Sequence, residues 1–572
     1  MSTSTPTSTL AIETVAEAYL ALLKSRGIDY LYVNAGTDSV SLVEAFARLN
    51  ESGLEFPVPI VAVHENLAVG MAHGYYMVSR RPQAVMLHVS VGAANGLCAL
   101  MNAARSQTPM LFTAGRTPLF EEGRFGCRSG DIHWAQELFD QGGMARELVK
   151  WDYELRDGAN VEQVVDRADA IMRSEPTGPV YLTLPREVLA QRLDGFTMRT
   201  SPPSAPQPPH PAPDDVARIA EALANAEFPL IVTSASGADP ATVPLLTRLC
   251  ERFGIAHAGR NPRYVNFPTT HPLHLGNAIE TLLPHADAIL FLECDVPWLP
   301  RTGGPKSGAF VAQAGTDPLF ARYPMRSFPA DLVVTTRVAP LLTELERALE
   351  AAGAASGGAQ RSARFAPHHA AARDAVSQRI AADLARGGPI TKTFLTHCLD
   401  RLRPEGALLV NEYSTVVDLM TFEEAGTFFH NPPAGGLGWG VPAALGAQQA
   451  APDRVVIVTV GDGSYLFANP AACHQAAAMH GLPVLTIVFN NARWEAVQMS
   501  TRGLYPDTHA ARRATVPLAS LAPSPKFEQY AQASDGYGER VSEREELAPA
   551  LERALHAVRV ERRHALLNVI GA

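Results

Sequence analysis

The sequence predicts an α/β protein of three doubly wound, parallel-sheet domains, and three observations lead there. The chain has 572 residues, too many for one core when domains run to roughly 100–200 residues. Short runs rich in Val, Ile and Leu recur along it, separated by helical stretches, which is the pattern of strands buried on both faces. Two stretches of breaking composition cut it into thirds. A Pro-rich linker over 196–214, half proline from 201 onward, reads as an extended spacer. A second, over 351–385, opens with AAGAASGG and reads as a flexible surface connection. The expected domains are then 1–195, 215–350 and 386–572.

In chain order, the Ser/Thr-rich residues 1–10 lack the layout of a signal peptide and read as a frayed tail. Ile12, Val15, Tyr19, Leu22 and Leu23 have the spacing of an amphipathic helix. Strands are expected in the first third at 31–33, 60–63, 85–89, 110–113 and 180–184. The middle third offers 230–233, 289–292 and 332–335, and the last third 408–410, 455–460, 484–489 and 565–570.

At 47% hydrophobic and 19% charged, the chain has ample material for packed cores. Lys plus Arg is 48 against 58 Asp plus Glu, a net of −10, which argues against nucleic acid or an anionic membrane as the main partner. No apolar run approaches the ~20 residues that span a bilayer. The six cysteines are scattered with no C-x-x-C pair, a usage that suits a reducing cytosol. A soluble, cytoplasmic, multidomain protein is expected.

The sharpest chemical signal lies in 455–491. A buried strand runs into Gly461-Asp462-Gly463-Ser464, a helix follows, and a second buried strand ends in Asn490-Asn491. Open α/β sheets bind ligands at the carboxyl ends of their strands, so Asp462 and Asn491 are expected at one rim. Glycines 461 and 463 would let the backbone approach a ligand closely, and the following helix start offers N–H groups to a phosphate. A carboxylate and an amide carbonyl are hard oxygen ligands suited to Mg²⁺ that also takes phosphate oxygens. These residues read as a metal–diphosphate site.

On these motifs the chain resembles the thiamine diphosphate-dependent enzymes of the acetolactate synthase, benzoylformate decarboxylase and 2-hydroxyacyl-CoA lyase group. The resemblance covers nearly the whole chain and implies pyrimidine-binding, middle and diphosphate-binding domains in that order. It implies Mg²⁺ held by Asp462, Asn491 and the backbone carbonyl of Arg493, with Gly461, Gly463 and Ser464 beside the diphosphate. It also implies that Ser414 and Thr415, in the segment NEYST, lie on the phosphate side. In VAVHENLAVGMAHGY (61–75), Glu65 would face N1′ of the aminopyrimidine and manage its protonation. In GGLGWG (435–440), Gly436 and Leu437 would line the cofactor, with Leu437 wedged between its rings.

Substrate residues follow less directly. His88 falls where benzoylformate decarboxylase has a catalytic His, whereas the companion His of that enzyme's middle domain is not evident in ECDVPW (293–298). Thr37 and Arg116 are candidate substrate contacts, the Arg through bidentate bonds to a carboxylate, and Trp494 opens the stretch where relatives keep a cover. No glycine-rich dinucleotide fingerprint marks the middle domain, so residues do not indicate FAD, although some relatives carry it. The resemblance implies a homodimer or homotetramer in which Glu65 of one subunit meets Asp462 and Asn491 of another. The expected reaction makes or breaks a C–C bond of a 2-oxo acid, leaning to an acetolactate synthase-like carboligase. A decarboxylase, a 2-hydroxyacyl-CoA lyase and a catalytically silent regulatory homologue are the competing readings.

Overall fold

The computed structural model describes residues 7–9, 12–199 and 206–572. Residues 1–6, 10 and 11 of the expected tail, and 200–205 of the Pro-rich linker, lie outside the described residues. Residues Thr7–Thr9 do not read as a frayed end: they pair antiparallel with Thr197–Arg199.

The expected strands form parallel sheets. The N-terminal sheet has the order Val58–Val61, Tyr30–Val33, Gln83–Leu87, Met110–Arg116, Val180–Pro185, Asp152–Glu154, with every neighbouring pair parallel. Gln83–Leu87 and Val180–Pro185 are buried along their whole length, as strands with helices on both faces must be. Chain order reverses between Tyr30–Val33 and Gln83–Leu87, and the crevice at such a switch point, beyond the carboxyl ends of the strands, is where ligands of open sheets bind. The turn holding Thr37 and Asp38 leaves one of these strands, and His88 leaves the other.

The middle sheet is also parallel, in the order Ala256–Gly259, Pro229–Thr233, Ala288–Leu292, Phe310–Gly315, Leu332–Thr335. Two of its strands escape the sequence pattern because AHAG and FVAQAG carry too few β-branched residues to signal one. In the C-terminal third, Val456–Gly461, Val484–Asn490 and Ala565–Ile570 run parallel, and Leu408–Glu412 pairs parallel with Phe428–His430.

By density of contacts the chain divides into two compact units. One gathers the chain up to Pro206 with Asn431–Arg540 and Arg553–Ile570; the other holds Gln207–His430 with Val541–Glu552 and Gly571–Ala572. Within the first, the helix Glu65–Ser79 and the helix Gly440–Ala450 interlock. A Cβ on Gly70 would lie 2.4 Å from Pro442 Cβ, one on Gly74 1.8 Å from the Ala443 carbonyl oxygen, and one on Gly446 1.9 Å from the Met71 carbonyl oxygen. Only glycine fits at these three crossings.

The second expected linker is ordered helix. Val338–Ala351 is followed by a 3₁₀ turn at Ala354–Gly357 and a 29-residue helix Gly358–Arg386. Small residues here allow close packing rather than flexibility. A Cβ on Gly358 would lie 2.5 Å from the Arg252 carbonyl oxygen, Arg361 donates to the carbonyls of Phe253 and Ala354, and Phe365 is wholly buried in the middle-domain core. No helix among the described residues is long and apolar enough to cross a membrane.

Candidate active site

Strand Val456–Gly461 delivers Asp462 to the start of a helix, Asp462–Phe467, which stops after six residues. Asn469, at φ +55°, separates it from a second helix, Pro470–Met479. So short a helix adds little dipole, and the local side chains must do the work. Asp462 is 3% exposed. Its Oδ1 accepts the Gly463 N–H at 2.8 Å, while Oδ2 is buried with no partner. Burial pushes this carboxyl above its ordinary value, and the backbone N–H groups of Gly463, Ala492 and Arg493 pull it back down.

The neighbouring strand Val484–Asn490 ends beside it. Asn491 Nδ2 donates to Glu495 Oε2 at 2.7 Å, and its Oδ1 accepts the Arg493 N–H at 3.2 Å, which fixes the amide orientation. The glycine at 463 is required by a neighbour in the chain: a Cβ there would lie 2.1 Å from Cζ3 of the Trp494 indole. That ring packs edge-on against Phe467, and the backbone N–H of Trp494 donates to the Ala519 carbonyl at 2.7 Å. Trp494 therefore covers the glycine turn. Ser464 is buried on the short helix.

Glu65 begins the helix Glu65–Ser79, capped by His64, whose Nδ1 accepts the Asn66 N–H at 3.2 Å. Asn95 Nδ2 donates to Glu65 Oε2 at 2.6 Å and lies 3.3 Å from His64 Nε2. Asn469 Nδ2 lies 3.4 Å from His64 Nδ1, which brings the turn after the Asp462 helix to the cap of the Glu65 helix. His88 follows strand Gln83–Leu87 directly, as expected, and stands at the N-cap position of the helix Val89–Asn95 without a side-chain cap bond. Its Nδ1 meets Asp38 Oδ1 in a very short contact, and the Val89 N–H donates to Asp38 Oδ2 at 3.3 Å. The hydrogen bond to Asp38 pushes His88 above the ordinary imidazole value, against the opposing effect of burial. Glu65 and His88 flank one spot: a Cβ on Gly92 would touch Glu65 Oε1 and His88 Cβ, each at 3.4 Å.

The loop before helix Gly440–Ala450 is pinned by Asn102, whose Oδ1 accepts the Gly436 N–H at 3.0 Å and whose Nδ2 donates to the Gly436 carbonyl at 2.8 Å. Leu437 stays half-exposed next to that anchor. In the second unit, Asn411 Oδ1 accepts the N–H groups of Ser414 and Thr415 at 3.2 and 3.0 Å, shaping the loop that leaves strand Leu408–Glu412. The hydroxyls Ser414 Oγ and Thr415 Oγ1 are buried without partners.

Two stretches of the sequence match known domain families. Residues 13–144 match "Thiamine pyrophosphate enzyme, N-terminal TPP binding domain", and residues 412–569 match "Thiamine pyrophosphate enzyme, C-terminal TPP binding domain". The chain belongs to the thiamine pyrophosphate enzyme family. Benzoylformate decarboxylase of Pseudomonas aeruginosa is 28% identical, over 96% of this chain and 98% of its own. Acetolactate synthase large subunit IlvG of Mycobacterium tuberculosis is 26% identical, over 93% of this chain and 92% of its own. Among solved structures, the thiamine diphosphate-dependent 4-hydroxybenzoylformate decarboxylase of Rhodococcus jostii shares the fold with a TM-score of 0.78 at 22% identity, covering 98% of this chain and 99% of that one.

The residues present fit a thiamine diphosphate. An unpaired buried polar atom costs about 1–3 kcal/mol, and Asp462 Oδ2, at the rim of the strand that ends in Gly461, is one that a bound cation or diphosphate would satisfy. No cluster of three or more His, Cys, Asp or Glu suited to a metal occurs among the described residues. A cation at Asp462 would depend on amide, carbonyl and phosphate oxygens, as Mg²⁺ sites do.

Arg116 is paired within the chain through its terminal nitrogens, while its Nε is buried without a partner. Its guanidinium pairs with Glu154 at 2.7 Å and Glu137 at 3.4 Å, and Arg128 pairs with the same Glu137. Thr37 is exposed on the turn before Asp38. In the middle domain Asp295 is spent on a buried pair with Arg263 at 3.0 Å, and Trp298 packs edge-on to Phe328. A cavity of about 240 Å³ in the same unit is lined by His257, Asn266, Phe267, Asn277, Arg373 and Asp418 among others. Asp38, Asn95, Asn102 and Gln136 went unread in the sequence; the one available signal was the Asp two residues past Gly36, where a strand was expected to end.

Proposed function

We propose that the chain is a thiamine diphosphate- and Mg²⁺-dependent decarboxylase that takes a 2-oxo acid, with an aryl 2-oxo acid the substrate class, and releases the aldehyde. The observation that carries this reading is His88, half-buried beside Glu65 and held by Asp38 above its ordinary pKa. An imidazole at a sheet switch point whose charged form a buried carboxylate favours is suited to delivering a proton. A relative named benzoylformate decarboxylase, matched over 98% of its own length, supports the substrate class.

Bound thiamine diphosphate supplies the carbon nucleophile and the electron sink. The chain's own residues do the rest. Asp462 and Asn491, with the Arg493 carbonyl, would hold Mg²⁺; Ser414 and Thr415 would donate to the diphosphate; Glu65 would hold and release a proton beside the aminopyrimidine; Leu437 would pack against the cofactor. Trp494 excludes water above the glycine turn. The shared-site homodimer or homotetramer belongs to this reading, and light scattering tests it. So does a cytoplasmic location, supported by six free cysteines.

A panel of aliphatic and aryl 2-oxo acids, read by CO₂ release and product mass, is the test. Aldehyde as the main product supports the reading. Acetolactate or another 2-hydroxy ketone as the main product would return the assignment to the carboligase, the reaction favoured by the sequence motifs.

A further inference from the structure

The cluster behind His88 is more elaborate than a strand-end histidine needs. Asp38 is 2% exposed, and two glycines make room for the pair, Gly115 for Asp38 and Gly36 for His88. A Cβ on Gly115 would fall 1.7 Å from Asp38 Oδ2, and one on Gly36 would fall 2.0 Å from His88 Nδ1. On the other side of the ring, His88 Nε2 lies 3.4 Å from Gln136 Nε2, while Gln136 Oε1 is buried with no partner. The Gln136 backbone is itself held, its carbonyl accepting the Ser90 hydroxyl at 2.5 Å.

Hydrogen-bond inventory fixes the roles. With a carboxylate at Nδ1, that nitrogen carries a proton in both states of the ring. Nε2 is then the only exchanging atom. Neutral, it accepts from the Gln136 amide N–H; protonated, it needs an acceptor, and the idle Gln136 Oε1 becomes one when the amide turns over about its own axis. One residue can serve both protonation states without moving the backbone. The ionisable groups that bear on the ring are Asp38 from the turn after the first strand, Glu65 from the helix opposite, and His133 from the segment that bears Gln136. The two carboxylates favour the cation; burial opposes it.

We propose that Asp38 and Gln136 are positioning residues that make His88 a proton carrier at Nε2, and that the substrate is accordingly a 2-oxo acid whose product leaves protonated, as an aldehyde. This rests on the function proposed above and deepens it. In the step, the Nε2–H bond of the imidazolium breaks and a C–H bond forms at the carbon that has lost CO₂. The ring becomes neutral imidazole with Nδ1–H still on Asp38, and water restores the Nε2 proton. Asp38 remains ionised throughout.

Histidine NMR on the unliganded full-length protein tests this without turnover, with His88→Gln to assign the signal. His88 should titrate above 6.5, the ordinary value, and its neutral form should carry the proton on Nδ1. Asp38→Asn should lower that titration by about one unit, a tenfold change in the protonated fraction above the pKa. Gly115→Ala should shift it the same way by crowding the carboxylate without removing it. In the loaded enzyme, the alkaline limb of kcat should move with the NMR value while KM changes little. A proton on Nε2 in neutral wild-type protein, or a titration indifferent to Asp38→Asn, overturns the inference. Failure to bind thiamine diphosphate or to release CO₂ from any 2-oxo acid overturns the proposed function instead, with the His88 titration unaffected.

Discussion

Asp38 and Asp462 both lie beyond the carboxyl end of a buried parallel strand, and both are almost wholly buried, at 2% and 3% exposure. Their surroundings differ in kind. Asp38 has both oxygens occupied, one by His88 and one by a backbone N–H. Asp462 has one oxygen tied to its own turn and the other left without a partner. A buried carboxylate whose oxygens are all used serves the chain; one with a spare oxygen is built for something the chain does not supply.

The sharpest test of this contrast is at Glu65, on the same rim as Asp38; the Glu65 Oε2 accepts from Asn95 while its Oε1 faces the spot beside Gly92. Glu65→Gln should keep thiamine diphosphate affinity and lose about 10²–10⁴-fold in turnover, read by calorimetry beside steady-state kinetics; near wild-type turnover would remove the proton role of that rim. Asp462→Ala should do the reverse. It should weaken thiamine diphosphate binding in the presence of Mg²⁺ by at least roughly 100-fold, while the unliganded protein melts close to wild type, because the lost Oδ1 bond to the Gly463 N–H is offset by removal of the Oδ2 that had no partner. Undiminished uptake in that variant would show the spare oxygen to be idle.

Asn102→Ala sharpens the comparison at the loop between. Two bonds to Gly436 disappear, which should cost about 1–3 kcal/mol in urea unfolding and loosen cofactor binding less than Asp462→Ala does. The smallest effect concerns buried histidines outside the candidate site, His73 bonded to Trp439 and His474 to Tyr465. Burial pulls His73 and His474 down to about 3. Both fold neutral, so their stabilisation is complete above the unfolded value of 6.5 and is lost as pH falls from there toward 3. Each should cost about 2 kcal/mol by pH 5. His73→Asn, which keeps an acceptor for Trp439, should flatten the decline of melting temperature with acid by one group.

What the sequence made legible follows one rule. Residues that announce themselves locally were readable: Asp462 and Asn491 stand at the ends of two Val/Ile/Leu-rich strands, and Glu65 opens a helix straight after a third. The strand rhythm likewise gave the parallel sheets, apart from short or small-residue strands such as Ala256–Gly259. Partners drawn from distant segments were not readable. Asp38 is 50 residues from His88, and Asn102 is 334 from Gly436, so no window of sequence holds both. The stretch 351–385 failed for another reason: glycine and alanine signal freedom in isolation, whereas here they let Gly358 and its helix press against the Arg252–Phe253 backbone.

The interlocked glycines of the helices Glu65–Ser79 and Gly440–Ala450 reach past packing. With no clearance for a methyl at three crossings, neither rod can slide along the other without steric collision. Displacement at one end, where Leu437 precedes its helix, is therefore transmitted to the other, where Glu65 begins its own. The loop that holds Leu437 and the turn that holds Glu65 are thus both set by one interlocked helix pair.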